Sequence, residues 1–438
     1  MRDTRFLGGT LFRAFASALH TPDLRKKLLF TLAIMALYRI GSFIPVPFVS
    51  LSNVRQCMVD QGTGDFVSMV NLFSGGGLLQ LSIFSLGIMP YITASIIIQL
   101  LRVVIPRFDA LHKEGQSGNA KLLEYTRYLT IGLGVLQSAV VVSVANSQLF
   151  QTCTLDPIPN ATPWIITLAI LTMTAGTGLV MWLAELVTDH GIGNGMSILI
   201  FTGICANFPT MLNNVRQSSG GFTWMLLVFV VFLAITFVVT FVEECQRRIP
   251  VQYAKRVIGR RTYGGSTTYL PIKINMANVI PVIFASSLLM IPTMAASFGD
   301  PNSGWVQFIN RYFASRSVAY LVAYGLLIFF FTFFYTEITF DTDEVADNMK
   351  RYGGFIPGVH AGKPTADFLH YVSVRLTWVG AVYLAVVALV PTTMFSQMGI
   401  LGGSFGGTSI MILVGVGLQT VKDVDAQLQE RHYEGFLR

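Results

Sequence analysis

Ten runs of apolar residues, each near the roughly 20 residues needed to cross a hydrocarbon core, divide the 438-residue chain. They start near Leu28, Leu78, Tyr128, Pro163, Gly193, Phe222, Met276, Ser317, Trp378 and Gly407. The pattern predicts an all-α polytopic membrane protein with ten transmembrane helices. One further apolar stretch, Phe66–Phe73, is far too short to span and is bracketed by Gly64 and Gly75–Gly77. Short segments at membrane depth survive only where protein or water surrounds them, so this one reads either as a re-entrant element or as a short helix on the outer surface.

Composition sharpens the class. Hydrophobic residues make up 53% of the chain and charged residues only 12%, half the share of a soluble domain (about 25%). Charge then sets the orientation. Of the 30 Lys and Arg residues, 25 fall on one side of a ten-span topology. The opposite side keeps Arg55, Arg216, Arg311 and Arg316, and Arg39 lies inside the first span. Both termini are therefore expected in the cytoplasm. Residues 1–27 carry six basic residues, but the apolar run that follows them has no small-residue cleavage site, so a cleavable signal peptide is not expected. Phe12–Leu19 reads as an amphipathic surface helix or as a plain basic tail.

Two connections on the basic side are long, about 243–274 and about 341–374. The first interleaves Arg247, Arg248, Lys255, Arg256, Arg260 and Arg261 with Ile249, Val251, Tyr253 and Val257. This basic hairpin suits docking onto a large partner, with an anchor on anionic lipid as the alternative. Its charge belongs to membrane topology, and no folded domain carries it toward a specific nucleic acid. The four cysteines form no closely spaced ligand pair, so no metal is expected, while a Cys57–Cys153 bridge stays open.

Chemistry is sparse. The histidines form no His-Glu-x-x-His pair, and Gly358-Val-His-Ala-Gly-Lys-Pro364 has the wrong gap and a Pro where a phosphate loop needs Ser or Thr. No enzyme, no catalytic residue and no cofactor are expected. A secondary transporter of small solutes is the main rival to a channel, but such proteins place ionisable groups mid-membrane. Here Arg39, Glu185 and Asp189 lie near span ends. A membrane scaffold for assembly factors is a third reading.

Six stretches carry a family resemblance. They are Met69-Val-Asn-Leu-Phe-Ser-Gly-Gly-Gly77, Ser82–Leu100, His190-Gly-Ile-Gly-Asn-Gly-Met-Ser197, Arg247-Arg-Ile-Pro-Val-Gln-Tyr-Ala-Lys-Arg256, Asn275–Ser287 and Phe405-Gly-Gly-Thr-Ser-Ile-Met-Ile412. In order and spacing, the chain resembles the SecY/Sec61-alpha family of protein-conducting channels.

The resemblance implies a clamshell of two pseudo-symmetric, inverted five-helix halves, 28–213 and 222–421, between a cytoplasmic segment 1–27 and a tail 422–438. It implies a re-entrant plug helix at about 64–76, with Phe66, Val67, Met69, Val70, Asn71, Leu72 and Phe73. It implies a pore ring of Ile88, Ile92, Met196, Ile200, Ile283 and Ile412, residues that by themselves read as ordinary aliphatic core. Met stands where the family has Ile, at 196. The resemblance implies a lateral gate between spans two and three on one side and seven and eight on the other. Thr93, Gln137 and Asn278 would be its polar latch, or else simple packing glue. Arg247, Arg248, Lys255, Arg256, Arg260, Arg261, His360 and Lys363 would dock a motor or ribosome. At 360 the family usually has Arg, so its fixed guanidinium fork is missing there.

The implied function is passage of unfolded secretory polypeptides across the bacterial plasma (inner) membrane, with sideways release of hydrophobic segments into lipid. The implied partners are SecE and SecG in a heterotrimer, the SecA motor ATPase, the translating ribosome with its ribosomal RNA, signal sequences, nascent polypeptides and membrane lipids.

Overall fold

A computed structural model describes residues 21–50, 75–77, 80–147, 162–217, 221–253, 256–258, 261–263, 267–296, 303–313, 317–397 and 407–434. The plug residues Phe66–Phe73, the segment Phe12–Leu19, Cys57, Cys153, Lys255 and Arg260 lie outside them. The elements run α1 (Pro22–Gly41), α2 (Met89–Val104), α3 (Pro106–Lys113), α4 (Gln116–Ser147), α5 (Pro163–His190), α6 (Gly195–Gln217) and α7 (Gly221–Glu244). Then come β1 (Gln246–Tyr253), β2 (Arg256–Ile258), β3 (Arg261–Tyr263), β4 (Thr267–Lys273), α8 (Ile280–Ala296), α9 (Gly304–Tyr312) and α10 (Val318–Thr339). The chain ends with α11 (Thr342–Arg351), β5 (Gly354–Phe355), α12 (Lys363–Gln397) and α13 (Gly407–Glu434).

Ten of these helices match the ten apolar runs: α1, α2, α4, α5, α6, α7, α8, α10, α12 and α13. By length and hydropathy alone, only four described helices qualify as spans, or five if the bent α2–α3 pair counts as one. The others fail for visible reasons. The first carries Arg25, Lys26 and Lys27, α2 and α8 are short, and α13 runs on into a charged end.

Three boundaries differ from the hydropathy pattern. The second helix starts at Met89 rather than near Leu78. Residues 81–88 instead turn back under the first span, with Gly87 at φ 54° and a bridge from Pro45 to Ser82. Pro90, in the first turn of α2, lacks the amide that position leaves unpaired anyway. Further along the chain, α4 and α12 begin 12 and 15 residues before their apolar runs, at Gln116 and Lys363. Both starts are more polar than the apolar runs they lead into, so a hydropathy scan does not register them. The last helix likewise carries on to Glu434, through most of the expected tail.

The helices pack in a ring. In order around it, α2 lies on α4, α4 on α5, α5 on α6, α6 on α13, α13 on α12, α12 on α10 and α10 on α8, and α8 closes the ring against α2. The first helix buttresses α5 and α6 from outside, and α7 buttresses α6 and α13. Close approaches depend on glycine. A Cβ at Gly195 would stand 1.9 Å from the Ala184 carbonyl oxygen, and one at Gly407 would stand 1.9 Å from that of Val387. Small residues permit such contacts between membrane helices, where dispersion rather than the hydrophobic effect drives packing.

At one end, β1 and β4 form an antiparallel hairpin, and β5 adds to the other edge of β1. Ile249, Ile272, Ile356, Leu369 and Val372 make a small core of their own beneath it. The two long connections are thus one folded head, the candidate docking head, rather than two separate loops.

Candidate functional site: an apolar constriction, its seam and its docking head

Four helices bring the six predicted ring residues to one apolar core. Ile88 precedes the first turn of α2 and Ile92 lies within it, Met196 and Ile200 sit on α6, Ile283 on α8 and Ile412 on α13. Ile88, Ile92, Ile200 and Ile412 are at most 5% exposed and belong to the main buried cluster. Met196 and Ile283 are half-buried and pack against that cluster. Side chains at i and i+4 lie on one face, so Ile88/Ile92 and Met196/Ile200 each present a stacked pair. The Asn194 side chain accepts from the Met196 amide at 3.0 Å, holding the start of α6 where Met196 projects. Aliphatic side chains gathered around a pore would exclude ions by dewetting, and flexible ones could seal around a passing chain.

The three predicted gate residues stay apart in hydrogen-bonding terms. The Thr93 hydroxyl donates to the Met89 carbonyl of its own helix at 3.0 Å. Gln137 is 6% exposed and its Oε1 has no partner. Asn278 precedes α8 in the left-handed region, at φ 50°, and its carbonyl accepts from Asn275 Nδ2 at 3.1 Å. No hydrogen bond among the described residues joins the three. Thr93 lies on α2, Asn278 just before α8, and Gln137 on α4; α8 touches α2, and α4 packs on the same α2.

Several residues that hold the site were not singled out by sequence. Asn275, 2% exposed, donates through Nδ2 to Glu243 Oε1 at 2.6 Å, and Glu243 is itself buried at the end of α7. Beside it the Ile274 amide donates to the Cys245 carbonyl at 3.2 Å, closing the neck of the hairpin. The neck therefore ties the docking head to the base of α8, one of the seam helices. Arg127 of α4 binds Glu185 of α5 through two hydrogen bonds, at 2.9 and 2.8 Å. Arg39 donates to the Gly75 carbonyl and lies 4.8 Å from the Phe43 ring centre. A Cβ on Gly75 would sit 3.0 Å from Gly203 Cα, so the glycines after the short segment lie tight against α6. A spacing rule could not have found these pairs, since their partners are up to 58 residues apart. The hint available was scarcity, because a lone charge in an apolar helix needs a partner.

On the docking head, Arg247, Arg248, His360 and Lys363 are exposed. Arg256 and Arg261 lie in the two-stranded β2–β3 tip. Around His360 the chain turns through Gly358 and Gly362, at φ 86° and 101°, and the Thr365 hydroxyl donates to the His360 carbonyl at 2.8 Å. Those glycines serve a turn that leads into α12. On the neighbouring connection, the Lys113 ammonium, 2.7 Å from Asp109, holds that carboxyl below its usual range.

Eight membrane helices in a ring, two more buttressing it, an apolar core where they meet and a basic head on one side define a multi-pass membrane channel. The SecY family model matches residues 82–421. A Streptomyces galbus relative, "Protein translocase subunit SecY", is 54% identical over 437 residues, covering 98% of this chain and all of that protein. The relative of that name from Mycobacterium tuberculosis (strain ATCC 25618 / H37Rv) is 50% identical over 444 residues, with 98% and 100% covered. Among solved structures, "The structure of a protein conducting channel" superposes with a TM-score of 0.60 at 20% identity, over 92% of each chain. "Sec61 in the Canine ribosome-channel complex from the endoplasmic reticulum" gives 0.57 at 19% identity, again over 92% of each. The chain belongs to the SecY family.

Proposed function

We propose that this chain is the pore-forming subunit of a bacterial protein translocase. It passes unfolded secretory polypeptides across the plasma membrane and releases hydrophobic segments sideways into lipid. The observation that carries the reading is the convergence of Ile88, Ile92, Met196, Ile200, Ile283 and Ile412, from four separate helices, on one apolar core. Full-length relatives named as translocase subunits support it.

In this reading the segment Phe66–Phe73 seals the pore as a plug. The α2–α8 contact is the line that parts, with Thr93, Gln137 and Asn278 as its polar residues. Both termini and the docking head face the cytoplasm, following the distribution of Lys and Arg. SecE and SecG complete the membrane complex, and the SecA motor or a ribosome supplies the drive at Arg247, Arg248, Lys255, Arg256, Arg260, Arg261, His360 and Lys363. A ribosome-bound likeness exists for the canine Sec61 structure, which supports the second of these.

The test is a cysteine crosslink. Single cysteines replace Ile92, Ile200, Ile283 and Ile412 in a cysteine-free background, and a secretory precursor carrying one cysteine is stalled in vesicles with SecE, SecG and SecA. Crosslinks at all four positions, with none at lipid-facing Phe237 or Leu326, are the expected result. A correctly inserted chain that gives no ring crosslinks sinks the pore.

A further inference from the structure

One end of the bundle carries the basic docking head, yet an acidic island interrupts it. Between α10 and α12 lies a pocket of about 220 Å³ lined by Thr336, Glu337, Asp341, Asp343 and His370. Asp341 is engaged already, since its side chain caps α11 by accepting from the amides of Asp343 and Glu344. Glu337 and Asp343 are exposed, and neither belongs to the ion pairs found among the described residues. Thr336 is 5% exposed, lines the same pocket, and its hydroxyl has no partner. A buried hydroxyl left unpaired is costly, so this one points to a polar group arriving from outside the chain.

A second space adjoins the pocket. Phe329, Phe330, Phe333, Phe334 and Trp378 line a groove of about 550 Å³, and Phe333 and Glu337 belong to both cavities. The groove residues of α10 recur at helical spacing on one face, and Trp378 of α12 closes edge-on against Phe329 and Phe333 at 5.4 Å. Phe330 and Trp378 remain more than half exposed on helices that pass the span criteria. Their surroundings are therefore acyl chains.

We propose that groove and pocket together hold one amine-headed phospholipid, phosphatidylethanolamine in chemical class. An acyl chain lies along the aromatic groove. The ammonium group donates to Glu337 and Asp343, and the Thr336 hydroxyl and a His370 ring N–H donate to the phosphate. Charge selects the headgroup. An anionic phospholipid brings no cation to the two carboxylates and meets their repulsion. A choline headgroup brings charge without N–H donors. The inference needs only that α10 and α12 lie in a bilayer, so it stands or falls separately from the translocation reading.

The experiment is native mass spectrometry of the purified full-length chain in detergent, mixed with equal amounts of dioleoyl phosphatidylethanolamine, phosphatidylglycerol and phosphatidylcholine. Wild type should retain the ethanolamine lipid about tenfold over the glycerol lipid, as befits charge-assisted hydrogen bonds. The double variant E337K/D343K should invert that preference. T336V, nearly isosteric, should lower ethanolamine-lipid retention about threefold at an unchanged melting temperature. W378A should lower all three lipids alike.

Equal retention of the ethanolamine and glycerol lipids by wild type would overturn the proposal, and so would an unchanged preference in E337K/D343K. A third outcome also overturns it. If the lone chain shows no headgroup preference while E337K/D343K weakens assembly with the partner subunits, the pocket receives a basic protein segment instead.

Discussion

The constriction and the docking head are built on opposite principles. Around the constriction, specificity comes from burial. Ile88 and Ile412 are 1% exposed and make no polar contact through their side chains, so what fixes them is helix packing through glycines such as Gly195 and Gly407. On the docking head, the backbone holds the shape. Seven residue pairs register β1 against β4, and the side chains that would meet a partner, Arg247, Arg248, His360 and Lys363, project outward. A substitution in the first region should change the fold before it changes function. In the second it should change function and leave the fold alone. The buried Glu243–Asn275 neck belongs to both and should show both effects.

The contrast is broken most severely at the glycines. Gly407→Val forces a branched side chain into the Val387 carbonyl and should destabilise the chain by about 4 kcal/mol or more, read as loss of membrane-inserted protein and of a cooperative melt. Tolerance of valine there would mean that α13 and α12 are not in register. Next comes Asn275→Ala, which strips a buried carboxylate of its donor. A loss of about 2–4 kcal/mol is expected. Partner binding to the head should weaken with it, and intact binding at full cost in stability would uncouple neck from head.

Ile92→Asn should cost about 1–3 kcal/mol for a buried amide without a partner and should make vesicles leak ions through the wetted constriction. Gln137→Leu sharpens the reading of the seam, because it removes a buried, unpartnered Oε1. It should be neutral or stabilising by up to about 1 kcal/mol, and a large loss would reveal a partner that forms in another state. Smallest in stability is the pair Arg247→Ala and Arg248→Ala, within about 0.5 kcal/mol, while affinity for ribosome or motor falls at low salt and less at high salt.

Much of this was legible in the chain, and the limits have physical causes. Period and length located ten helices, because an apolar run is the direct record of a lipid environment. They misplaced the start of α12 by 15 residues, since Lys363–Thr377 is helical but wet at that end, and lipid leaves no mark on a helix outside it. The hairpin was legible from basic residues interleaved with Ile249, Val251, Tyr253 and Val257. That β5 joins it was not, because a two-residue strand has no pattern to read. The ring residues are plain isoleucines whose role depends on where four helices meet, and only the family resemblance singled them out. Glu243 and Asn275 carried a faint signal, a carboxylate and an amide at the two ends of one loop.

The ninth membrane helix has a mechanical consequence. Its 35 residues form one element about 52 Å long, continuous from the turn at His360–Gly362 to the far side of the ring. A rod cannot absorb a push at one end by bending uniformly, so force applied beside Lys363 arrives deeper in the bundle as tilt. The flexure belongs at Pro391, where the backbone ladder is interrupted. Leverage is thus built into the chain's covalent continuity, with the docking head as handle and the proline as fulcrum.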